Sequence, residues 1–306
     1  MSWIGKKKYK FQIYFGYIKN EIALRKNVWK PHMMSMEKTM QEIEEKKLSV
    51  SRFGDGEFKW MLNMPQDSFQ TQSEELRNAL IKTLNTNDPR LLLCTTDCFD
   101  ELNQYKRDVK WFWGYIMSRE RDKLEKIFPR NYEFGNLNVT RFYIDYKNTN
   151  HVKTLIEMWK KIWNDKDILI VEGCYTRLGV GNDLFDNVKS IQRILAPAKN
   201  AFDYYDDILK KTIKYSDGKD MVLLALGPTA TVMAADLALH EIRAIDIGHI
   251  DIEYEWYRMK AKTKVAVPSK YVNEAANCGG RDVDDIKSKK EQEKYMRQVV
   301  ERIGNE

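Results

Sequence analysis

The chain has 306 residues, 12% aromatic and 31% charged, with a net charge of +6 at pH 7. That length buries a real core, as one large α/β domain or two smaller ones, and the aromatic content excludes a largely disordered chain. Residues 1–31 carry eight Lys or Arg against the single acid Glu21, so the remainder is nearly neutral. With no reader motif beside that basic arm, the sequence gives no support to nucleic-acid binding by the protein as a whole.

No run approaches the roughly eighteen apolar residues of a membrane span, and there is no signal-peptide core, which predicts a cytoplasmic protein. Cys94, Cys98, Cys174 and Cys278 follow no zinc spacing and no disulfide framework. Cys94 and Cys98, beside the apolar Leu91–Leu93, read as buried free thiols in a reducing compartment.

The opening arm interleaves its charges with Trp3, Tyr9, Phe11, Tyr14, Phe15, Ile22 and Trp29. This mixture suits a helix lying on a membrane surface or a partner-binding segment; the alternative is an ordinary helix docked on the domain by its aromatics, which the spread of apolar residues around the helix favours. Residues 1–34 are set apart as this extension, residues 35–275 as the main domain, and residues 276–306 as a charged helix packing on it. Ser35 caps a helix over Met36–Lys46. Leu48–Val50 then leads into Ser51–Phe58, read as the end of an early strand. Period-two geometry puts Asp55 and Glu57 on one face, with Gly54 and Gly56 leaving the backbone open to a ligand. Two carboxylates with Arg52 three residues before the first can hold a divalent cation and a phosphate together. The same residues also read as an Asp-Gly turn between two short strands.

A short helix after Phe58 and a polar loop over 65–71 precede a helix from Ser73 to Leu84. Arg90–Thr95 is apolar without alternation, as buried parallel strands are. Residues 100–127 read as helical in two pieces, and their cluster Trp111, Phe112, Trp113, Tyr115 and Ile116 reads as core or as a sugar-stacking platform. Asn138–Tyr143 reads as a strand carrying Arg141, and His151–Trp163 as an amphipathic helix. Asp167–Gly173 and Ser190–Leu195 are strands. Asp203 caps a helix through Tyr215. Met221–Leu226 is a strand, Gly227-Pro228-Thr229 opens a helix to His240, and Arg243–Ile247 is the last clear strand. The tail from Asp284 to Arg302 reads as one charged helix. Short strands separated by helices predict an α/β, Rossmann-like, mostly parallel sheet with helices on both faces. Ligands in such folds sit beyond the carboxyl ends of the strands, where all the motifs singled out here fall.

Three of those motifs follow the first. Glu172–Asp186 is neither a dinucleotide fingerprint nor a P-loop. Arg177 beside Gly173, Gly179 and Gly181 suits a diphosphate; the alternative is a flexible connection with Asn182 or Asp183 as a helix cap. Gly227 and Thr229 offer bare amides to a phosphate or a uridine, although proline there is also simple helix-start grammar. Asp246, Gly248, His249, Asp251, Glu253 and Glu255 form a second acidic cluster, with His249 or Asp251 the candidate for activating an acceptor. With four histidines in the chain, a histidine-built zinc site is excluded.

Arg52-Phe53-Gly54-Asp55-Gly56-Glu57 resembles the signature of the bacterial GT-D-fold glycosyltransferases, formerly a domain of unknown function. Glu172-Gly173, the run Arg177–Asp186 and the run Ala244–Asp251 resemble further motifs of that family in the same order, and the likeness extends over residues 35–275. It implies a GT-D-type fold and a metal-dependent glycosyltransferase moving a hexose from a UDP-sugar. Asp55 and Glu57 would hold Mn²⁺ or Mg²⁺. Arg52, Gly54, Gly56, Gly173, Arg177, Gly179, Gly181, Asn182, Asp183, Gly227, Thr229 and Asp246 would line the nucleotide-sugar site. The implied acceptor is a glycan on a surface protein or a polysaccharide precursor, with other glycosyltransferases as partners; the charge of residues 1–31, outside the resemblance, would fit membrane contact and a lipid-linked acceptor. The competing expectations are a nucleotide-dependent phosphotransferase or hydrolase, and a non-catalytic subunit of a glycosylation complex.

Overall fold

The computed structural model describes residues 3–26, 28–65, 69–272, 274–275, 286 and 288–304, with side chains from Tyr9 onwards. Cys278 and Asp284 lie outside the described residues. The elements in chain order begin with α1 (Trp3–Leu24), β1 (His32–Met33), α2 (Met36–Glu45), β2 (Ser49–Phe53), α3 (Asp55–Met61), α4 (Glu74–Leu84) and β3 (Leu91–Thr95). They continue with α5 (Arg107–Ile127), β4 (Glu133–Asn136), α6 (Val152–Ile162), β5 (Asp167–Gly173), β6 (Ser190–Ala196) and α7 (Tyr205–Tyr215). β7 (Met221–Ala225), α8 (Pro228–Leu239), β8 (Ala244–Asp246), α9 (Ile250–Arg258), α10 (Lys289–Gln298) and β9 (Val299–Arg302) complete the described chain.

The strands form one sheet in the order β1-β4-β3-β2-β8-β7-β5-β6-β9, and every pairing is parallel. Burial on both faces explains why the central strands carry no polar alternation. Ile168 and Ile170 of β5 point to the side holding α2 and α6, whereas Leu169 and Val171 point to the side holding α7 and α8. α4 and α5 cover that second side over β2 and β3, through Leu76, Leu80, Ile116 and Leu124. Helix starts follow the capping residues: Ser35 Oγ accepts the Lys38 N–H at 3.1 Å, and Ser73 Oγ accepts that of Leu76 at 3.0 Å. Cys94 and Cys98 are buried and in no disulfide.

α1 docks along α5, crossing it at two glycines. A Cβ on Gly16 would stand 2.9 Å from Tyr115 Cα, and one on Gly114 would stand 2.8 Å from Tyr17 Cα. The buried Arg121 of α5 ties the arm down by donating to the Trp29 carbonyl at 2.9 Å and to Asn20 Oδ1 at 3.1 Å. The docked-helix reading of the arm is therefore met on this face. Its other face stays open, with Phe11 63% and Phe15 56% exposed. Among the described residues no helix is long and apolar enough to cross a membrane.

Four local expectations are corrected. The strand ends at Phe53, and Asp55 and Glu57 lie in the first turn of α3. Acids at a helix start meet free amides, and Glu57 reaches back to the Gly54 N–H, so these residues stabilise a helix better than a strand end. Asn138–Tyr143 is not a strand: β4 ends at Asn136, whose Oδ1 accepts the Asn138 N–H at 2.9 Å and starts a 3₁₀ turn over Leu137–Thr140. Asp203 lies in a 3₁₀ turn over Ala201–Tyr204, and α7 starts without a side-chain cap. The tail holds α10 and then turns into β9, which adds to β6 as an edge strand.

Candidate active site

The carboxyl ends of β2, β4, β5, β7 and β8 open onto one cleft of about 690 Å³. Arg52, Gly54, Asp55, Gly56, Glu57, Gly173, Gly227, His249 and Asp251 all line it. Its floor is built around Arg52, the fourth residue of β2. The guanidinium donates to Thr140 Oγ1 at 2.6 Å and to Asp246 Oδ1 at 3.1 Å, leaving Nε without a partner. Gly248, at φ +47°, makes this possible, because a Cβ there would overlap the guanidinium. Asp246 is buried, within 3.2 Å of Thr231 Oγ1, and desolvation raises its carboxyl above the ordinary range against the pull of Arg52.

Glu57 Oε2 accepts the Gly54 N–H at 2.9 Å. Burial pushes this carboxyl up to about 7, opposed by its backbone bonds and by Arg52, and reinforced by Asp246. Asp55, 44% exposed, pairs instead with Lys59 at 2.8 Å, one turn along α3. On a helix the two side chains emerge about 200° apart, so they do not share one face as on a strand, although both line the cleft. Among the described residues there is no group of three or more His, Cys, Asp or Glu that would cage a metal without help. Two hard carboxylate oxygens do suit a cation whose remaining ligands are water and substrate phosphate.

His249 precedes α9 and keeps a third of its side chain open, with Nε2 3.6 Å from Glu274 Oε1. Desolvation lowers its pKa to about 4; Glu274 counters this, while Arg141, Arg52 and Lys264 add to it. The imidazole is therefore neutral at physiological pH. Glu274 accepts a bidentate pair from Arg141 at 2.7 and 3.0 Å, and Lys264 at 2.5 Å. Burial alone would raise the Glu274 carboxyl, but Arg141 first, then His249 and Lys264, hold it far below the usual range. Asp251 is differently placed. Its oxygens receive Lys270 Nζ and, at 2.7 Å, Asn182 Nδ2, and the Lys270–Asp251 pair is almost fully buried.

Several expected site residues are not brought to the cleft. Thr229 and Asp246 are buried and do not line it; the Thr229 hydroxyl has no partner. Arg177 is 1% exposed and turned into the protein, donating to the Ser269 carbonyl at 2.7 Å. Gly179, Gly181, Asn182 and Asp183 line a separate cavity of about 330 Å³. Tyr175, Thr176 and Leu178 line the cleft and the loop leaves it from Gly179 onward; Glu172 pairs with Arg193 at 2.5 Å and accepts the Leu178 N–H at 2.7 Å. The segment after it forms turns, and neither Asn182 nor Asp183 caps a helix. Conversely, Arg141, Asp145, Lys264 and Glu274 line the cleft with no local signal in the sequence to bring them together. Phe112 and Trp113 line it as well.

A sequence profile described as the glycosyltransferase GT-D fold matches residues 50–275. The chain belongs to the GT-D-fold glycosyltransferases. Relatives agree with that family. The chain is 34% identical over 278 residues to the probable glycosyl transferase Gly of Streptococcus gordonii, covering 90% of this chain and 39% of that one. It is 34% identical over 272 residues to glycosyltransferase GlyD of Streptococcus pneumoniae, covering 88% and 32%. It thus spans about a third to two fifths of the length of these curated relatives. A solved structure described as a new glycosyltransferase from Streptococcus sanguinis superposes with a TM-score of 0.81 at 33% identity, covering 90% of this chain and 100% of that one. Another, a domain of unknown function 1792 described as having a distinct glycosyltransferase fold, gives 0.83 at 34% identity, covering 95% and 100%. The GT-D sheet expected from the motifs is the sheet observed.

Proposed function

We propose that this GT-D chain transfers a hexose from a UDP-sugar to a glycan acceptor on a surface glycoprotein or polysaccharide precursor, with Mn²⁺ or Mg²⁺ held by Asp55 and Glu57. The observation that carries the reading is the meeting of Asp55, Glu57, Arg52 and His249 in one cleft at the carboxyl ends of a parallel sheet. A divalent cation there would counter the charge that develops on the diphosphate as the sugar leaves. The nucleotide would lie along the ends of β5, β6 and β7, which Gly173, Ala198 and Gly227 line; at Gly227 the missing side chain admits the Phe69 ring. Arg52, which lines the cleft, is the candidate guanidinium for the diphosphate. His249, neutral and open to the cleft, accepts the acceptor hydroxyl proton, and the Glu274 carboxylate beside it stabilises the imidazolium formed. Asp251, with both oxygens engaged, positions α9.

Mass spectrometry after incubation with UDP- and dTDP-hexoses and a glycan acceptor tests this, with and without EDTA. Sugar transfer abolished by EDTA and restored by Mn²⁺ is the expected result. Phosphate release without transfer would favour a hydrolase, and UDP binding without turnover a non-catalytic subunit. The reading extends to the arm and to the cytoplasmic face of a membrane: the open side of α1 offers Phe11, Phe15 and Ile22 next to an excess of basic residues. Flotation with anionic vesicles should fall for the full chain carrying Phe11→Ser and Phe15→Ser, and equal flotation of variant and wild type would remove membrane contact.

A further inference from the structure

The cleft has a wall that the proposed chemistry leaves unused. Asp108, Val109, Phe112 and Trp113 sit at spacings of one helical turn on α5, and all four line the cleft. A helix face with this composition would ordinarily be closed by core packing. Here Val109, Phe112 and Trp113 stay only half-buried. The Phe112 and Trp113 rings meet edge-on, with centroids 5.4 Å apart. Across from them, Lys59 Nζ lies 5.9 Å from the Phe112 centroid and 2.8 Å from Asp55. Trp60, which lines the same cleft, has its indole N–H buried without a partner.

Half-open aromatic rings rimmed by carboxylate and ammonium match one ligand chemistry closely. A pyranose presents an apolar face of C–H bonds that stacks on a ring, while its hydroxyls project from the edge to donors and acceptors around it. The position in the sheet decides which sugar. Sheet order runs β4-β3-β2-β8-β7-β5-β6. Gly173, Ala198 and Gly227 lie at the β5, β6 and β7 ends, with the Phe69 ring against Gly227; Asp55, Glu57 and His249 follow β2 and β8 in the middle, and α5 joins β3 to β4 on the far side. A nucleotide occupying the β5, β6 and β7 ends directs its sugar to the middle and leaves the aromatic side for the group attacking it.

We infer that Trp60, Phe112 and Trp113 form the acceptor subsite, taking the terminal pyranose ring of the glycan that receives the hexose. This rests on the transferase reading above. The probes are methyl β-D-glucopyranoside, methyl β-D-galactopyranoside and methyl N-acetyl-β-D-glucosaminide, added to the full chain with UDP and Mn²⁺. Saturation-transfer NMR reads ring contact, and calorimetry reads UDP affinity. Wild type should transfer saturation to the ring C–H protons of at least one probe. Trp113→Ala should weaken that signal at least tenfold and Trp113→Phe should keep most of it, with UDP affinity within error of wild type and a cooperative melting transition retained in both. UDP binding with no saturation of any probe would overturn the subsite and leave the transferase reading standing. Loss of UDP affinity in a folded Trp113→Ala would make the wall a nucleoside site and overturn the assignment. Failure of wild type to bind UDP would remove the transferase reading and this inference with it.

Discussion

Glu57 is asked to be ionised by its proposed task and neutral by its surroundings. In the folded protein its pKa is raised by burial from 4.5 to about 7. Between those values the folded state holds a proton that the unfolded chain releases, so its contribution to stability falls as pH rises from about 4.5 through 7. Glu57→Gln keeps an oxygen for the Gly54 N–H and removes the titration. The variant should match wild type near pH 4 and exceed it at pH 8 by about 1 to 3 kcal/mol, while losing metal-dependent UDP binding. Melting curves at the two pH values check this; a gap that does not change with pH would mean Glu57 is not the buried acid described. Arg52 and Arg177 make a second contrast. Arg52→Lys cannot serve Thr140, Asp246 and a phosphate at once and should lose about 1 to 3 kcal/mol of UDP affinity in calorimetric titration with Mn²⁺. Arg177→Lys, outside the cleft, should bind UDP like wild type and melt at a lower temperature. Equal losses of affinity would put the loop after β5 back at the nucleotide.

At the scale of elements, β3, β5 and β7 were legible because an apolar run bounded by turn residues has few other homes than a strand buried on both faces. The junction at Gly54 was not. Glycine permits both a strand exit and a helix cap, and only the bond from Glu57 back to its amide selects α3. β9 was hidden because its four residues continue a helical pattern, and their partner β6 is about a hundred residues away. The cleft's charged wall failed to show for the same reason: Arg141 and Glu274 lie 133 residues apart, and no local spacing reports their contact. What the motifs did convey was the rim itself, since Asp55, Glu57, Gly173, Gly227 and His249 all reach it. The crossing of α1 on α5 yields its own prediction. Gly114→Val would drive a branched side chain into the Tyr17 backbone, at a cost of about 1 to 3 kcal/mol typical of overpacking. Limited proteolysis should then cut within α1 sooner than in wild type. An unchanged digestion pattern would mean α1 is held by Asn20 and Arg121 alone.

For the molecule as a whole, all-parallel pairing gathers every strand's carboxyl end onto one rim, so residues from β2 to β8 reach a common cleft without long excursions. The same arrangement leaves two lateral borders, and both are short. β1 contributes two residues on one side; β9 contributes four on the other, with its register broken at Arg193 and Ile194. Behind β9 lies β6, seven residues long and paired along its whole length with β5. Deleting residues 299–304 would turn that strand into an open border of unpaired N–H and C=O groups. Light scattering of the deletion variant should show association that grows with concentration and is absent in wild type at the same concentration. Monodisperse behaviour of the deletion would mean β6 is shielded by something other than β9. Four residues that touch no part of the cleft thus act as a stop against endless sheet growth, and what they protect is the protein's ability to remain a separate particle in a crowded cell.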